Sequence, residues 1–228
     1  MIQTKTIKTI AIIPARGQSK RLPKKNSKLL NGLPLLVYSI QYAQKQAEID
    51  AVYVSTDDAE IKAIALQYGA EVIERPEALS GDLEPTISAL QHAVKTINCS
   101  TLETVVLLQP TNPLRPKELF ANAFQYYTNN KCDSVFTVSR NHHKLGSIQS
   151  DKFIPHNYTP GQRSQDLEPL YFENGLLYIT RVAELLKGFI ITEDGYPYLV
   201  EHPFASIDID TQDDFDLATF KLNFYIND

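Results

Sequence analysis

Apolar residues along this chain switch between two rhythms. Thr9 to Ile13 (TIAII) form a continuous apolar or β-branched run that stops at Pro14, the pattern of a strand buried on both faces. From Gly32, GLPLLVYSIQYAQKQ takes up helical spacing, with Leu36, Ile40 and Ala43 on one face and Gln and Lys between them. AVYVSTDD then returns to a β-branched run, which completes a βαβ unit. DAEIKAIALQYGA predicts a second helix stopped at Gly69, and EVIERP a short extended segment closed by Pro76. A loop over Leu79 to Pro85 leads to TISALQHAVKTI, a third helix, and TVVLLQP, a strand; RPKELFANAFQYYTNN and SVFTVSR repeat the pair. Strands and helices alternating in this order predict an α/β domain built on a doubly wound, mostly parallel sheet.

The rhythm is lost from Asn141 to Pro169, a stretch rich in His, Asn, Gln, Pro and Gly. Such a length is unusual for a structureless loop, so residues 141–169 are expected to form an insertion with extra strands, a lid or a subunit contact. YFENGLLYITR restores strand character and RVAELLKG predicts a short helix. PFASIDIDTQDDFDLATFKLNFYI is expected to run from a short strand into a terminal helix reaching Ile226. There are no internal repeats or low-complexity tracts, and residues 1–228 are expected to make a single domain.

Composition narrows the partners. With 22 Lys and Arg against 27 Asp and Glu the formal charge is −5, which gives no electrostatic case for nucleic acid or an anionic membrane. The Tyr and Phe residues do not interleave with basic ones, a second argument against nucleic acid. Residues 1–9 carry Lys5 and Lys8 and lead into a short strand, not into the apolar core of a signal peptide, and no 18-residue apolar run occurs. The two cysteines, Cys99 and Cys132, form no CxxC or Cys/His spacing, and a reduced compartment suits them. The expectation is a cytoplasmic protein.

Chemistry gathers where the predicted strands end. AIIPARGQSKRLPKKN, Ala11 to Asn26, follows the first strand with five cations, Arg16, Lys20, Arg21, Lys24 and Lys25, and one glycine, Gly17. This is the edge where α/β domains bind ligands, and Gly17 permits a turn or a close phosphate approach. The loop matches neither GxGxxG nor GxxxxGK[ST], so phosphate binding and a solvated basic turn both stand as readings. SIDID, Ser206 to Asp210, puts Asp208 and Asp210 on one face if it is extended, which suits a hard cation such as Mg²⁺ or an exposed strand end. Asp213 and Asp214 read as helix-capping charge. STDD, Ser55 to Asp58, reads as a helix N-cap before a ligand contact. QPTNPLRP, Gln109 to Pro116, is a proline-stiffened loop that could aim Gln109 and Arg115 or only end the sheet. The five histidines form no HxH or HExxH pattern, and there is no GxSxG elbow. Cations in one loop and paired carboxylates in another suggest phosphoryl or nucleotidyl chemistry.

Together the segments IIPARGQSKRLPKKN, PLLVYSI, VYVSTDDAEI, YGAEVIERPEALS, LLQPTNPLR, RSQDLEPLYFENGLLYI and IDIDTQDDF closely resemble the CMP-sialic acid synthetases, or acylneuraminate cytidylyltransferases, and their bacterial relatives for pseudaminic and legionaminic acids. The resemblance covers nearly the whole chain. It implies a Rossmann-like nucleotidyltransferase fold that transfers CMP from CTP to an acidic nine-carbon sugar with Mg²⁺ present, working as a homodimer. It implies that Arg16, Ser19, Lys25 and Asn26 hold the triphosphate, Lys25 acting on the transferred phosphoryl group, and that Arg75 holds the nucleotide. Asp208 and Asp210 become the metal ligands. Gln109, Arg163, Asn174 and Tyr178 become sugar contacts, with residues 141–169 supplying part of the site and of a dimer interface. Three positions depart from the family: Gln18 where a second glycine is common, Ser164 in place of the second Arg of RRQD, and Leu176 where a small residue often follows Asn-Gly. Ser164 and Leu176 are expected near the sugar and leave the choice among nine-carbon acids open. A cytidylyltransferase for the eight-carbon acid Kdo shares the Arg21-Leu22-Pro23 signature, but KKN after that proline, QPTNPLR and ENGLLY favour the nine-carbon group. A catalytically inactive binding module is the third reading, against which stand the intact candidate residues.

Overall fold

The computed structural model describes residues 6–225; Lys5 and Ile226, which enter the expectations above, lie outside the described residues. Its centre is a seven-stranded sheet. Strand β1 (Thr9–Pro14) is flanked in parallel by β4 (Ala51–Thr56) and β6 (Thr104–Leu107), and β5 (Glu71–Glu74) extends the sheet beyond β4. Next to β6 comes the long β10 (Leu170–Arg181), then β7 (Ser134–Asn141) and β11 (Tyr196–Leu199), in the order β11-β7-β10-β6-β1-β4-β5. Strand β10 runs antiparallel to both its neighbours, while the other pairings are parallel, so the sheet is mostly parallel as expected.

Helices cover both faces. Ala11, Ile13, Val54 and Val106 point to the layer of α1 (Leu35–Gln44), α2 (Ala59–Gln67) and α4 (Leu119–Asn129). Ile10, Ile12, Tyr53 and Val105 point to the other, formed by α3 (Thr86–Ile97) and α5 (Val182–Lys187). Neighbouring residues of β1 thus bury their side chains in opposite layers, which is why TIAII reads as an unbroken apolar run. Helix α1 begins at Leu35, later than its apolar rhythm, because Pro34 closes a small hairpin of β2 (Leu29–Leu30) and β3 (Leu33–Pro34). Helix α4 starts at Leu119 for a similar reason, since the proline-stiffened loop continues through Pro116.

Two expectations need correction. Residues Pro203–Ser206 form a 3₁₀ turn and Ile207 to Asp210 lie outside the strands, so no short strand precedes the terminal helix α6 (Gln212–Phe224). No neighbouring strand offers this segment a ladder; Ile209 N–H donates to Thr111 O at 2.8 Å, and its apolar side chains hold it down. Strand β11, by contrast, lies in a segment to which the apolar pattern assigns nothing. Pro197 obscures it, and the strand forms because it occupies the sheet edge beside β7.

Residues 141–169 do contain extra strands: β8 (Gly146–Gln149) and β9 (Lys152–Pro155) pair as a separate hairpin, followed by a 3₁₀ turn at Ser164–Asp166. No helix among the described residues is long and apolar enough to cross a membrane.

At the start of α6, Thr211 and Asp214 form a capping box, each accepting from the other's backbone N–H. Asp214 also accepts from Asp210 N–H at 3.1 Å, which anchors the acidic segment to the helix. The Thr211 hydroxyl, aided by these backbone donors, holds the Asp214 carboxyl below its usual pKa. A depressed carboxyl stabilises the fold above its unfolded pKa, and that stability is lost as pH falls through the folded value. Asp214→Asn is therefore expected to lower the melting temperature at neutral pH by the equivalent of about 1 kcal/mol. Melting curves taken at falling pH should show the gap to wild type closing in acid; a gap independent of pH would exclude a charge-based cap.

Candidate active site

The order of the parallel strands reverses between β1 and β6, and the loops that leave their carboxyl ends diverge there to form a cleft. A cavity of about 460 Å³ is lined by Arg16, Ser19, Lys25, Asn26, Thr111 and Asp210, among others. A second, of about 230 Å³, adjoins it with Arg75, Thr86 and Gln109 in its wall, and both share Pro14, Arg16 and Asp82.

The opening loop is shaped by its own bonds. Buried Asn26 donates from Nδ2 to Arg16 O at 3.0 Å, which ties its two ends together. Gly17 donates its N–H to Asp57 Oδ1 at 3.0 Å, and a Cβ at Gly17 would fall 2.6 Å from Asp58 Oδ2. The close approach that glycine permits is thus to the Asp57-Asp58 turn. Asp58 in turn caps α2, accepting from Ile61 N–H at 2.9 Å. Gln18 is exposed and outside the lining of the cleft.

The carboxylate pair shares one side of its segment without being a strand. Ile207 and Ile209 are buried in an apolar cluster with Leu22, Leu30, Leu114 and Phe215, so Asp208 and Asp210 must face the other way. Each such isoleucine contributes about 1.5–3 kcal/mol on burial, enough to set the orientation of the residues between them. The same cluster holds Leu22 of the opening loop, so one patch of core supports both charged segments.

Opposite charges then meet. Lys25 Nζ donates to Asp210 Oδ1 at 2.9 Å and to Ile209 O at 2.7 Å, and Arg21 reaches Asp210 Oδ2 at 2.7 Å. Only 12% of the Lys25 side chain remains exposed. Loss of hydration, with repulsion from Asp210, raises the pKa of Asp208 against the opposing pull of the Thr111 hydroxyl and Lys25, although the residue is exposed.

This donor set fits a divalent cation of the hard class. Its oxygens are carboxylates, and a cation would relieve the repulsion between them. Among the described residues no group of three or more His, Cys, Asp or Glu could hold a metal, but Mg²⁺ commonly uses one or two carboxylates and takes its other ligands from water and phosphate.

The remaining positions separate. Arg75 lines the smaller cavity with its guanidinium anchored on Ser55, Nε to Oγ at 3.1 Å and one terminal nitrogen to the carbonyl at 2.6 Å; lost hydration lowers its pKa. Gln109 Oε1 would lie 2.9 Å from a Cβ at Gly175, which has φ of +74° and needs glycine for both reasons. Asn174 is buried, its amide donating to Ser139 Oγ at 3.0 Å and its carbonyl accepting from Leu176 N–H at 3.1 Å, so its side chain shapes a bulge in β10. Tyr178 OH donates to Glu173 at 3.2 Å, and burial, with Glu173 and Asp208 nearby, raises its pKa. Arg163 stands apart in an exposed turn, paired with Asp166 through two contacts of 2.8 and 2.9 Å. Ser164 is exposed in that turn, and Leu176 is fully buried in the core with its side chain away from the cleft.

Arg115 is also turned inward. Buried without a carboxylate, it donates to Leu176 O (2.6 Å), Ser39 Oγ (3.0 Å) and Gln109 O (2.9 Å), and loss of hydration lowers its pKa to about 10. It pins the proline-stiffened loop. Asn112, overlooked in the sequence, completes that job: Nδ2 donates to Asn174 O (3.0 Å) and Ile207 O (2.8 Å), joining the β10 bulge to the acidic segment. Its place inside QPTNPLR was the available signal. Asp82, also overlooked, pairs with Arg16 at 2.9 Å and with Lys20, in a loop that lacks hydrophobic periodicity.

A cation-rich loop and a carboxylate pair thus meet at the switch point of a doubly wound sheet, where α/β domains bind ligands. The sequence profile of the family described as Cytidylyltransferase matches residues 10–219, and the chain belongs to that family. It is 34% identical over 218 residues to an N-acylneuraminate cytidylyltransferase of Streptococcus agalactiae serotype V, covering 92% of this chain and 52% of the relative. The chain thus spans about half the length of that relative. It is also 34% identical to a CMP-N,N'-diacetyllegionaminic acid synthase of Legionella pneumophila (93% of this chain, 95% of the relative) and 31% identical to a pseudaminic acid cytidylyltransferase of Campylobacter jejuni (95% and 98%). Among solved structures, a CMP:2-keto-3-deoxy-manno-octonic acid synthetase complexed with CTP matches with a TM-score of 0.71 at 15% identity, over 95% of this chain and 99% of that one. A 4-diphosphocytidyl-2C-methyl-D-erythritol synthase from Anaerococcus prevotii matches with 0.65 at 20% identity, over 96% and 97%. At these identities the structural likeness is one of fold.

Proposed function

We propose that this protein transfers CMP from CTP to the anomeric hydroxyl of a nine-carbon ulosonic acid of sialic, legionaminic or pseudaminic type. The observation that carries the reading is the meeting of Lys25 with Asp210 in a cleft lined by Arg16, Ser19 and Asn26. The hydroxyl oxygen attacks the α-phosphorus and gives up its proton to solvent, the bond from that phosphorus to the bridging β-phosphate oxygen breaks, and pyrophosphate leaves. No enzyme nucleophile is required. Arg16, Ser19, Lys25 and Asn26 hold the triphosphate, Arg75 anchors the nucleotide, and Lys25 turns from Asp210 toward the α-phosphate to offset charge in the transition state. Asp208 and Asp210 hold Mg²⁺, which when bound neutralises phosphate charge. Gln109 and Tyr178 border the acceptor, and Asn174 acts by shaping the strand beneath it.

In this reading the protein works as a cytoplasmic homodimer. Support comes from the apolar side chains left exposed on the insertion and on the adjoining end of β10, including Ile148, Phe153, Tyr171 and Phe172. An interface there takes in Arg163 and makes it an acceptor contact. Of the two departures expected beside the sugar, Leu176 is a poor guide to which acid is used because it lies in the core, whereas Ser164 shares the exposed turn of Arg163 and enters the same interface.

The test is pyrophosphate release from CTP and Mg²⁺ with a panel of sialic, legionaminic and pseudaminic acids and Kdo. Release with at least one nine-carbon acid is expected. Release with Kdo alone would move the protein to the eight-carbon class, and no release with any acid would make it a binding module.

A further inference from the structure

The cations of the cleft already have anions of their own. Arg21 and Lys25 share Asp210, and Arg16 and Lys20 share Asp82. Asp210 has a further task in the proposed metal site, whereas Asp82 has none. It lies on the exposed turn between Ser80 and Pro85, whose tip, Leu83, is 97% exposed. The turn grips Arg16 twice, through Asp82 Oδ1 at 2.9 Å and through Gly81 O at 3.0 Å. Arg16 and Asp82 both belong to the walls of the two cavities, so their pair sits where the larger one meets the smaller. A nucleotide with its base in one and its phosphates in the other passes this contact.

We propose that Asp82 sets the polyphosphate affinity of the cleft: it is an internal counterion that competes with phosphate oxygens for Arg16 and Lys20. The inference rests on the reading that the cleft holds the triphosphate of CTP. Among the residues lining the larger cavity four cations face two carboxylates, a positive surplus that attracts the substrate without binding its polyphosphate product irreversibly tightly. When the triphosphate arrives, Arg16 and Lys20 exchange a carboxylate for phosphate oxygens. When pyrophosphate leaves, Asp82 takes them back, and this return lowers the cost of uncovering two cations. Asp82 meets no reacting atom and is not catalytic.

The sign of the effect separates this role from a supporting one. Asp82→Asn keeps the shape of the side chain and removes its charge. By calorimetry without sugar, it is expected to bind inorganic pyrophosphate and CTP about three- to tenfold more tightly than wild type, the scale on which partly exposed ion pairs operate. Pyrophosphate should inhibit turnover at correspondingly lower concentration. Asp82→Glu, which retains the charge, should bind as wild type does, and adding Lys20→Gln to Asp82→Asn should shrink the gain. Equal or weaker pyrophosphate binding by folded Asp82→Asn would overturn the proposal and make Asp82 a support for Arg16. Should that variant fail to melt cooperatively, Asp82→Ser supplies the same comparison. Wild-type protein that binds neither CTP nor pyrophosphate would remove the nucleotide reading itself, an outcome distinct from the failure of Asp82.

Discussion

Lys25→Ala is expected to lower the rate of pyrophosphate release about a hundredfold to a thousandfold, the loss seen when one preorganised donor to a developing oxyanion is removed, equivalent to about 2.7–4 kcal/mol. The structure sharpens the reason. Lys25 is nearly enclosed, and its two bonds, to Asp210 and Ile209 O, hold the ammonium at the meeting point of the opening loop and the acidic segment. Both partners survive its removal with other contacts, since Arg21 still reaches Asp210 and Ile209 N–H still donates to Thr111 O. Folding should therefore be nearly intact. Single-turnover rates together with thermal melting check the two halves of the claim. A folded Lys25→Ala protein that turns over at the wild-type rate would remove Lys25 from the chemistry.

The second large effect concerns the carboxylates. Asp208→Ala and Asp210→Ala are each expected to shift the magnesium titration of activity to much higher concentration, with turnover at a fixed low magnesium level falling about a hundredfold, the order assigned to a lost charge-stabilising group. Their side effects should differ. Asp208 takes no part in the ion pairs that Lys25 and Arg21 make with Asp210, so its loss leaves those pairs in place. Asp210 is the counterion of both Lys25 and Arg21, and its loss frees them to bind polyphosphate without metal. Metal-free pyrophosphate binding should accordingly strengthen in Asp210→Ala and stay near wild type in Asp208→Ala. Unchanged magnesium titrations in both variants would sink the metal assignment.

The parts of the site that were legible in the sequence are those whose chemistry is local. Five cations after a buried strand and two aspartates alternating with isoleucines can be read without coordinates, because charge and period belong to the residues themselves. Asp58 as an N-cap and Asp214 in a capping box are legible for the same reason, each bonding within three residues. Arg115 was not. In the sequence it looks like one more cation after a strand, but its guanidinium is folded into the core to pin carbonyls from distant segments. Leu176 reads as a neighbour of the sugar and is instead turned inward by the bulge at Asn174 and Gly175.

By itself, then, the sequence determined the alternation of strands and helices, the placement of the basic loop after β1 and the alternation of Asp208 and Asp210 with isoleucines, since periodicity and short-range bonding need no distant partner. Only the tertiary structure decided who meets whom. Lys25 finds Asp210 and Arg16 finds Asp82 because the sheet brings segments far apart in the chain to one edge, and a shared apolar cluster under Leu22, Ile207 and Ile209 keeps them there. Such pairings depend on burial and long-range packing, which no local pattern of residues encodes.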